Sequence, residues 1–420
     1  MSDPVQAQYE AYPYPARDPR DERKRLIAGS PSHLDEVNHY LFAGGRDFAK
    51  PFRALVAGGG TGDAAIMLAQ QLSDHAAACG ATPGEVVYLD LSAAARGIAE
   101  ARARERGLAN IAFHTAALDD LATLGLGRFD YIDCCGVLHH LADPAAGLAA
   151  LTGALAEGGG LGIMVYAPYG RTGVYPAQDL LRRLGGDLDL KDRVALARRL
   201  LDALPATNWL NRNPFLGDHR RSDAELVDLL LHPRDRAFTV PELAEMVASA
   251  GLRLAAFIEP ARYDPATYLR DPKLLRRLDG LDPVARAACA EALAGNIRKH
   301  IVYLLRAEEE REPIARPDGP EAVPLLHNLD GPRLAKSLGW NPVMTAGLDG
   351  LKLRLPLPPL AAALLARIDG KSDLAALHAA LQAQNPGLDW DGFKLQFDRL
   401  YAVLNGLNHM LIAKPGHRTS

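Results

Sequence analysis

Cysteine is scarce in this chain: Cys79, Cys134, Cys135 and Cys289 are four among 420 residues, with no C-x-x-C pair and no metal-ligand spacing. That excludes a disulfide framework and a cysteine-built zinc site, so no metal is expected. The adjacent Cys134 and Cys135 lie in an apolar run and read as buried free thiols. An excess of either charge is also missing: 47 Lys and Arg stand against 51 Asp and Glu, for a net charge of −4. A general nucleic-acid binder is therefore not expected. Long apolar runs are absent too. Residues 353–368 come nearest and are broken by three prolines and two arginines, well short of the roughly 18 residues that cross a bilayer. The first residues show no basic segment followed by an apolar one, so no secretory leader, no membrane partner and a cytoplasmic location are expected.

What is present is the composition of a globular protein, 48% hydrophobic and 23% charged, in a chain long enough for two or three domains. Residues 1–50 read as an N-terminal cap segment. In it, residues 9–15 alternate Tyr and Pro and favour an extended path, residues 18–25 form a charge run that reads as a solvated helix start, and Leu34, Val37, Leu41 and Phe42 recur at helical spacing. From residue 51 strand and helix alternate, the signature of a parallel sheet with crossover helices. Strands are expected at 53–56, 86–89, 111–115, 131–134 and 161–166, with helices near 63–78, 93–106 and 144–156. Gly158, Gly159 and Gly160 read as the stop of the last helix. Residues 167–236 are charged and helical with no good strand, an insertion. The sheet resumes with a helix at 240–250 and strands at 253–258 and 300–306, closing a domain over 51–308. The charged, proline-rich stretch 309–324 reads as a linker. Residues 325–420 read as a small, mostly helical domain with one or two strands.

The organising stretch is Ala54 to Asp63, an apolar run turning through Gly58, Gly59, Gly60, Thr61 and Gly62 into a helical pattern. Such a turn presents unpaired backbone N–H groups at a helix start. A dinucleotide fingerprint would need a third glycine where Asp63 stands, and no Gly-Lys-Ser/Thr follows for a P-loop. The turn suits an aminoacyl nucleoside: its carboxylate on the turn, its ammonium near carbonyls or Asp63, and its ribose on Asp90 at the end of the second strand.

These features resemble the class I S-adenosylmethionine-dependent methyltransferases. The resemblance rests on Ala57 to Asp63, on Asp90, Leu91 and Ser92, on the run Phe129 to Leu141, and on Leu155 to Leu161, four motifs in order within residues 35–306. It implies an α/β, Rossmann-like seven-stranded core, S-adenosyl-L-methionine as cofactor, and cofactor contacts from Ala57, Gly58, Gly59, Gly60, Thr61, Gly62, Asp63, Asp90, Leu91, Cys135 and Gly136. The chain departs from the family in three places. Val56 stands where the family often has an acid. The interval from Gly62 to Asp90 exceeds the usual spacing of about 20 residues, the excess falling in 79–85. The family's adenine-contacting acid would fall at Ala117 and Leu118, with Asp119 displaced by two.

Methyl transfer from a sulfonium is an in-line displacement whose main demand is positioning in a dry pocket. A base is needed only for a protonated acceptor. Near the carboxyl ends of the strands, His139, His140 and Tyr166 are the catalytic candidates, although a His-His-Leu run also commonly begins the next helix. Tyr9, Tyr12, Tyr14 and Tyr169 are candidates for the acceptor pocket, with the Tyr-Pro segment folding back as a lid; a loose aromatic tail is the alternative. The basic stretches 191–199 and 218–221 read as a solvated face or as a docking surface for the acceptor.

A weaker resemblance joins the insertion, residues 194–199 and residues 365–374 to bacterial protein-lysine methyltransferases with a regulatory C-terminal domain. It implies a protein acceptor such as lysine. Two alternatives stand beside it: a small-molecule O- or N-methyltransferase whose extra domain makes a homodimer, and a regulatory protein that binds the cofactor without turnover.

Overall fold

The computed structural model describes residues 3–416, with Asp218 described by its backbone alone. The first two residues of the expected cap segment and the last four of the expected C-terminal domain lie outside the described residues, as does the Asp218 side chain within the basic stretch 218–221.

Two helices precede the sheet, α1 (Pro4–Ala11) and α2 (Leu34–Leu41). The first corrects the expectation of an extended segment, since Tyr9 is helical. Asp3 caps the helix by accepting the Val5 N–H at 2.8 Å, Pro4 sits in the first turn where its missing N–H costs nothing, and only Pro13 and Pro15 impose an extended path after Ala11. The charge run at 18–25 is largely exposed, as expected of a solvated stretch, with Glu22 the exception. Residues Pro19–Arg23 form a short 3₁₀ turn that buries Glu22 beneath Arg102 and Arg106.

The sheet strands are β1 (Arg53–Ala57), β2 (Glu85–Asp90), β3 (Ile111–Thr115), β4 (Phe129–Cys135), β5 (Leu155–Tyr166), β6 (Leu252–Phe257) and β7 (Lys299–Arg306). They lie in the order β3-β2-β1-β4-β5-β7-β6, with β7 antiparallel to both neighbours. The inner strands are apolar almost without interruption because helices cover both faces, leaving a core on each side of the sheet. The crossovers include α3 (Asp63–Cys79), α4 (Ala93–Arg106) and α5 (Pro144–Ala154). α5 stops at Ala154, and the three glycines expected to end it lie inside β5. A Cβ at Gly159 would stand 2.8 Å from the Asp130 carbonyl oxygen, so these glycines serve the close approach of β4 and β5 where their register shifts.

The insertion is helical, with α6 (Val174–Gly185) and α7 (Leu190–Ala203) around a small core of its own. Among the described residues the C-terminal region holds four strands rather than one or two. Val323–Leu326 pairs with Met410–Ala413, Val343–Leu348 pairs with Leu351–Pro356, and four helices among the described residues pack with them. Val323, Leu325, Leu411 and Ala413 join the core under α2, so this region is fused to the sheet domain. The stretch expected as a linker follows α2 as an ordered strap: Ala43 N–H donates to Pro313 O at 2.7 Å and Ala315 N–H to His39 O at 2.8 Å. Proline and charge there keep the strap out of a helix without freeing it.

Among the described residues no helix is long and apolar enough to cross a membrane.

Candidate functional site

The break in strand order between β1 and β4 opens a crevice at the carboxyl ends of the strands, where open α/β sheets bind ligands. Ala57 ends β1, and the chain then turns through Gly58, Gly60 and Gly62 at φ of 75°, 51° and 105°, left-handed backbone that only glycine adopts readily. Gly60 N–H donates to Asp90 Oδ2 at 2.7 Å, and Ser92 N–H to Asp90 Oδ1 at 2.8 Å. Burial pushes the Asp90 carboxyl up, and these two N–H groups act against that.

Gly58, Asp90, Leu91, Ala117 and Leu118 come together on one cleft of about 490 Å³, with Val137 opposite. Asp119 and Asp120 line it too, beside Ala117 and Leu118. The volume falls within the range of about 300–1,000 Å³ usual for small-molecule sites. Gly59, Thr61, Gly62 and Asp63 face the other side of the turn. There Thr61 N–H donates to Tyr14 O at 3.2 Å and the Thr61 hydroxyl to Pro15 O at 2.7 Å. The Asp63 carboxylate is held by Arg17 at 2.6 Å and Arg102 at 2.7 Å. Cys135 and Gly136 close β4 beside the crevice, the thiol of Cys135 pushed up to about 12 by burial.

Helix α1 covers the cleft. Asp3, Val5 and Gln6 line it, Gln6 Nε2 donates to Leu91 O at 3.3 Å, and Glu10 accepts the Ala93 and Ala94 N–H groups at the start of α4.

A second, buried group of side chains adjoins it. Tyr9 and Tyr166 donate their hydroxyls to the two oxygens of Asp228, at 3.1 and 3.2 Å. Asp228 comes from the insertion and is 4% exposed; burial pushes its carboxyl up, and His232 nearby is the largest influence against that. His232 Nδ1 accepts the Arg234 N–H at 3.1 Å, which places its proton on Nε2, facing the Tyr9 hydroxyl at 3.3 Å. His140 stacks on His232 with ring centres 3.7 Å apart. Its Nδ1 lies 2.8 Å from Arg234 O and so carries the proton, leaving Nε2 bare and 4.0 Å from Asp228 Oδ1. Burial lowers His140 to about 4 and His232 to about 3, so both rings are neutral near pH 7. His139 packs its ring 3.9 Å from that of Tyr166, and neither of its nitrogens has a hydrogen-bond partner among the described residues. Arg171 lies 3.7 Å over the other side of this cluster, on the Tyr166 ring, and pairs with Asp235 at 2.7 Å.

Of the residues expected around the acceptor, Tyr9, Tyr166 and His140 meet at Asp228. Tyr12 packs against the core of the insertion, Tyr14 lies on the glycine turn through its carbonyl, and Tyr169 is 42% exposed. Sequence reasoning passed over Asp228 and His232. The signal was available: Asp228 is a lone acid within the apolar run Val227–Leu231, and His232 follows it.

A methyltransferase-domain family matches residues 55–161. An uncharacterized protein of Synechococcus is 33% identical over 336 residues, which cover 77% of this chain and 75% of that protein. A ubiquinone biosynthesis O-methyltransferase of Methylococcus capsulatus is 32% identical over 34% of this chain and 52% of its own length. Among solved structures, PKMT2 of Rickettsia typhi in complex with AdoHcy, a protein lysine methyltransferase, matches with a TM-score of 0.64 at 13% identity. That likeness of fold covers 91% of this chain and 76% of the other.

Proposed function

The chain belongs to the class I S-adenosylmethionine-dependent methyltransferases, in one family with the Synechococcus protein, and on that premise we propose that its methyl acceptor is a primary amine held by Asp228. The cleft suits the cofactor: a carboxylate at the end of β2 for the ribose hydroxyls, apolar walls at Leu91, Leu118 and Val137 for the base, and the glycine turn at its floor. When bound, S-adenosylmethionine supplies an electrophilic methyl group on a sulfonium.

The observation that carries the amine reading is the pair of acceptors Asp228 Oδ1 and His140 Nε2, 4.0 Å apart with no proton between them. One ammonium placed between them can donate to both, its third N–H left for a tyrosine oxygen. A buried carboxylate is costly without such donors, and an amine brings both hydrogen bonds and charge. The amine must lose a proton before its lone pair can attack the methyl carbon, since its unperturbed pKa is about 10.4. Burial disfavours the charged form of an amine seated there as it does that of His140, and His140 Nε2, on a ring that lines the cleft, is the bare acceptor through which the proton passes to solvent. Tyr9 and Tyr166 then hold the Asp228 charge, and Tyr9 on α1 closes the pocket from above. A lysine side chain is the favoured amine, because PKMT2, with the same overall fold, is named for that substrate.

A hydroxyl acceptor is the second reading, supported by the bare His140 Nε2 as a base and by the partial likeness to the O-methyltransferase. The test is to incubate the full chain with methyl-labelled cofactor and two substrate sets: lysine peptides with their acetyl-lysine counterparts, and small phenols. Label on lysine peptides alone supports the proposal. Label on phenols alone overturns it.

A further inference from the structure

We infer that a cationic cavity beside the ends of β6 and β7, walled by Arg262, Arg298 and Lys299, takes a carboxylate side chain of the protein that presents the acceptor lysine. The choice of occupant rests on the lysine reading above, and it adds an acidic neighbour that the enzyme recognises.

The cavity holds about 60 Å³ and is lined by Glu259 and Asp349 as well. That exceeds the roughly 10–15 Å³ that one water needs and leaves room for the two oxygens of a carboxylate. Both acids are already engaged. Arg262 is bonded to Glu259 and, at 3.0 Å, to Asp349 Oδ2, while Arg298 Nη2 lies 3.3 Å from Asp349 Oδ1. Arg298 Nη1 donates to Phe215 O at 2.9 Å, so the insertion fixes this wall of the cavity. What stays open is cationic. Lys299 is exposed and has no ion pair among the described residues, and the Nε–H of Arg298 is shut off from solvent with no acceptor among them. Three cations face two carboxylates, so one positive charge is unmatched.

Position ties the cavity to the acceptor group. Lys299 opens β7 directly opposite Tyr166 in the antiparallel pairing with β5, so the two side chains share a face of the sheet. Tyr166 in turn donates to Asp228. Burial pushes up the Cys135 thiol at the end of β4, and Lys299 acts against it, so the lysine charge is felt at the crevice. β6, which leads into Glu259 and Arg262, is the next strand beyond β7. Neighbouring strands lie about 4.7–4.9 Å apart, which puts the cavity about 5–10 Å from Tyr166 across the sheet. An extended peptide covers that distance in about two or three residues. Two sites of opposite sign thus share one edge of the sheet: Asp228 for an ammonium, and this cavity for an Asp or Glu close to it in sequence. A guanidinium wall with an added ammonium is the complement of a carboxylate.

The test is fluorescence anisotropy on the full chain with labelled peptide pairs that carry Glu or Gln one to three residues to either side of a lysine, each pair also made with norleucine in place of that lysine. At its best position the Glu peptide is expected to bind about tenfold tighter than its Gln partner, as for a hydrogen bond between charged groups, with lysine or norleucine alike. Lys299→Gln should cut that ratio to less than about threefold, and Lys299→Arg should keep it. Binding needs no methyl transfer, which separates this inference from the lysine reading: a Glu preference with no label on any lysine peptide would sink that reading and leave the cavity standing. Equal binding of Glu and Gln peptides at every position would overturn the inference. So would a preference that Lys299→Gln leaves intact. Melting of the variants reports separately on folding.

Discussion

The Tyr9 hydroxyl donates to Asp228 Oδ1 at 3.1 Å, joining residues 219 positions apart and tying the first helix of the chain to an acid of the insertion. A hydrogen bond to a charged group contributes about 1.5–3 kcal/mol. Tyr9→Phe is therefore expected to lower kcat/KM for an amine acceptor by about ten- to a hundredfold with little change in melting temperature. Asp228→Asn should lower it further, because the amide offers no charge to an ammonium. Steady-state kinetics on both variants checks this; an Asp228→Asn enzyme with wild-type turnover of amines would sink the acceptor assignment.

Gly60 and Asp90 form the second testable pair. A Cβ at Gly60 would stand 2.6 Å from Tyr14 O, and its φ of 51° is strained for a β-branched residue. Gly60→Val should lift the Tyr14 segment from the turn and weaken cofactor binding by more than about tenfold, since strain of this kind costs about 1–3 kcal/mol. Asp90→Ala removes the acceptor of the Gly60 and Ser92 N–H groups as well as the expected ribose contact, and should weaken binding at least as much. Calorimetry with wild-type affinity for both variants would falsify the cofactor site.

His39 offers a pH test. Its ring is buried between α2 and the C-terminal region, with Nδ1 accepting the Ile412 N–H at 2.9 Å, and burial lowers it to about 4. Between about 4 and the ordinary 6.5 the unfolded chain binds a proton that the folded one refuses. The His39 contribution to stability is therefore complete above pH 6.5 and falls as the pH drops toward 4, by about 1.4 kcal/mol per pH unit. Denaturant melts at pH 7 and pH 5 should show a smaller loss for His39→Gln than for the wild type. An equal loss in both would show that His39 is not the group responsible.

Glu36 is fully buried at the same junction, with His327 at 2.9 Å, Asn408 at 2.6 Å and Tyr303 at 3.2 Å. Its hydrogen bonds, His327 first among them, hold the carboxyl below its usual range despite burial. Breaking a buried pair by removing one partner costs about 3–5 kcal/mol. Glu36→Ala should therefore loosen residues 323–416 from α2 and expose the strap at 309–322 to protease. Mass spectrometry of limited digests reads this directly: no new cleavage there would show that the apolar contacts under α2 suffice.

The sheet was legible because β1, β2 and β4 are short apolar runs ending at a glycine or an acid, and the four motifs fell in order along it. The acceptor group was not, because it is assembled from α1, β5 and the insertion, and nothing local to Asp228 announces that Tyr9 will reach it. Gly158 to Gly160 misled for a different reason. Glycine both ends helices and admits close strand contacts, and only the neighbouring β4 distinguishes the two. Glu22 sat in what looked like a solvated charge run because its partners, Arg102 and Arg106, lie some eighty residues away.

Helix α1 touches both the cleft and the buried acid, with Gln6 at the first and Tyr9 at the second. On the proposed reading, spent cofactor and methylated product leave by a common door. Replacing the one then loosens the hold on the other, so a side chain bearing two or three methyl groups would be built over successive separate encounters, with singly methylated product accumulating first.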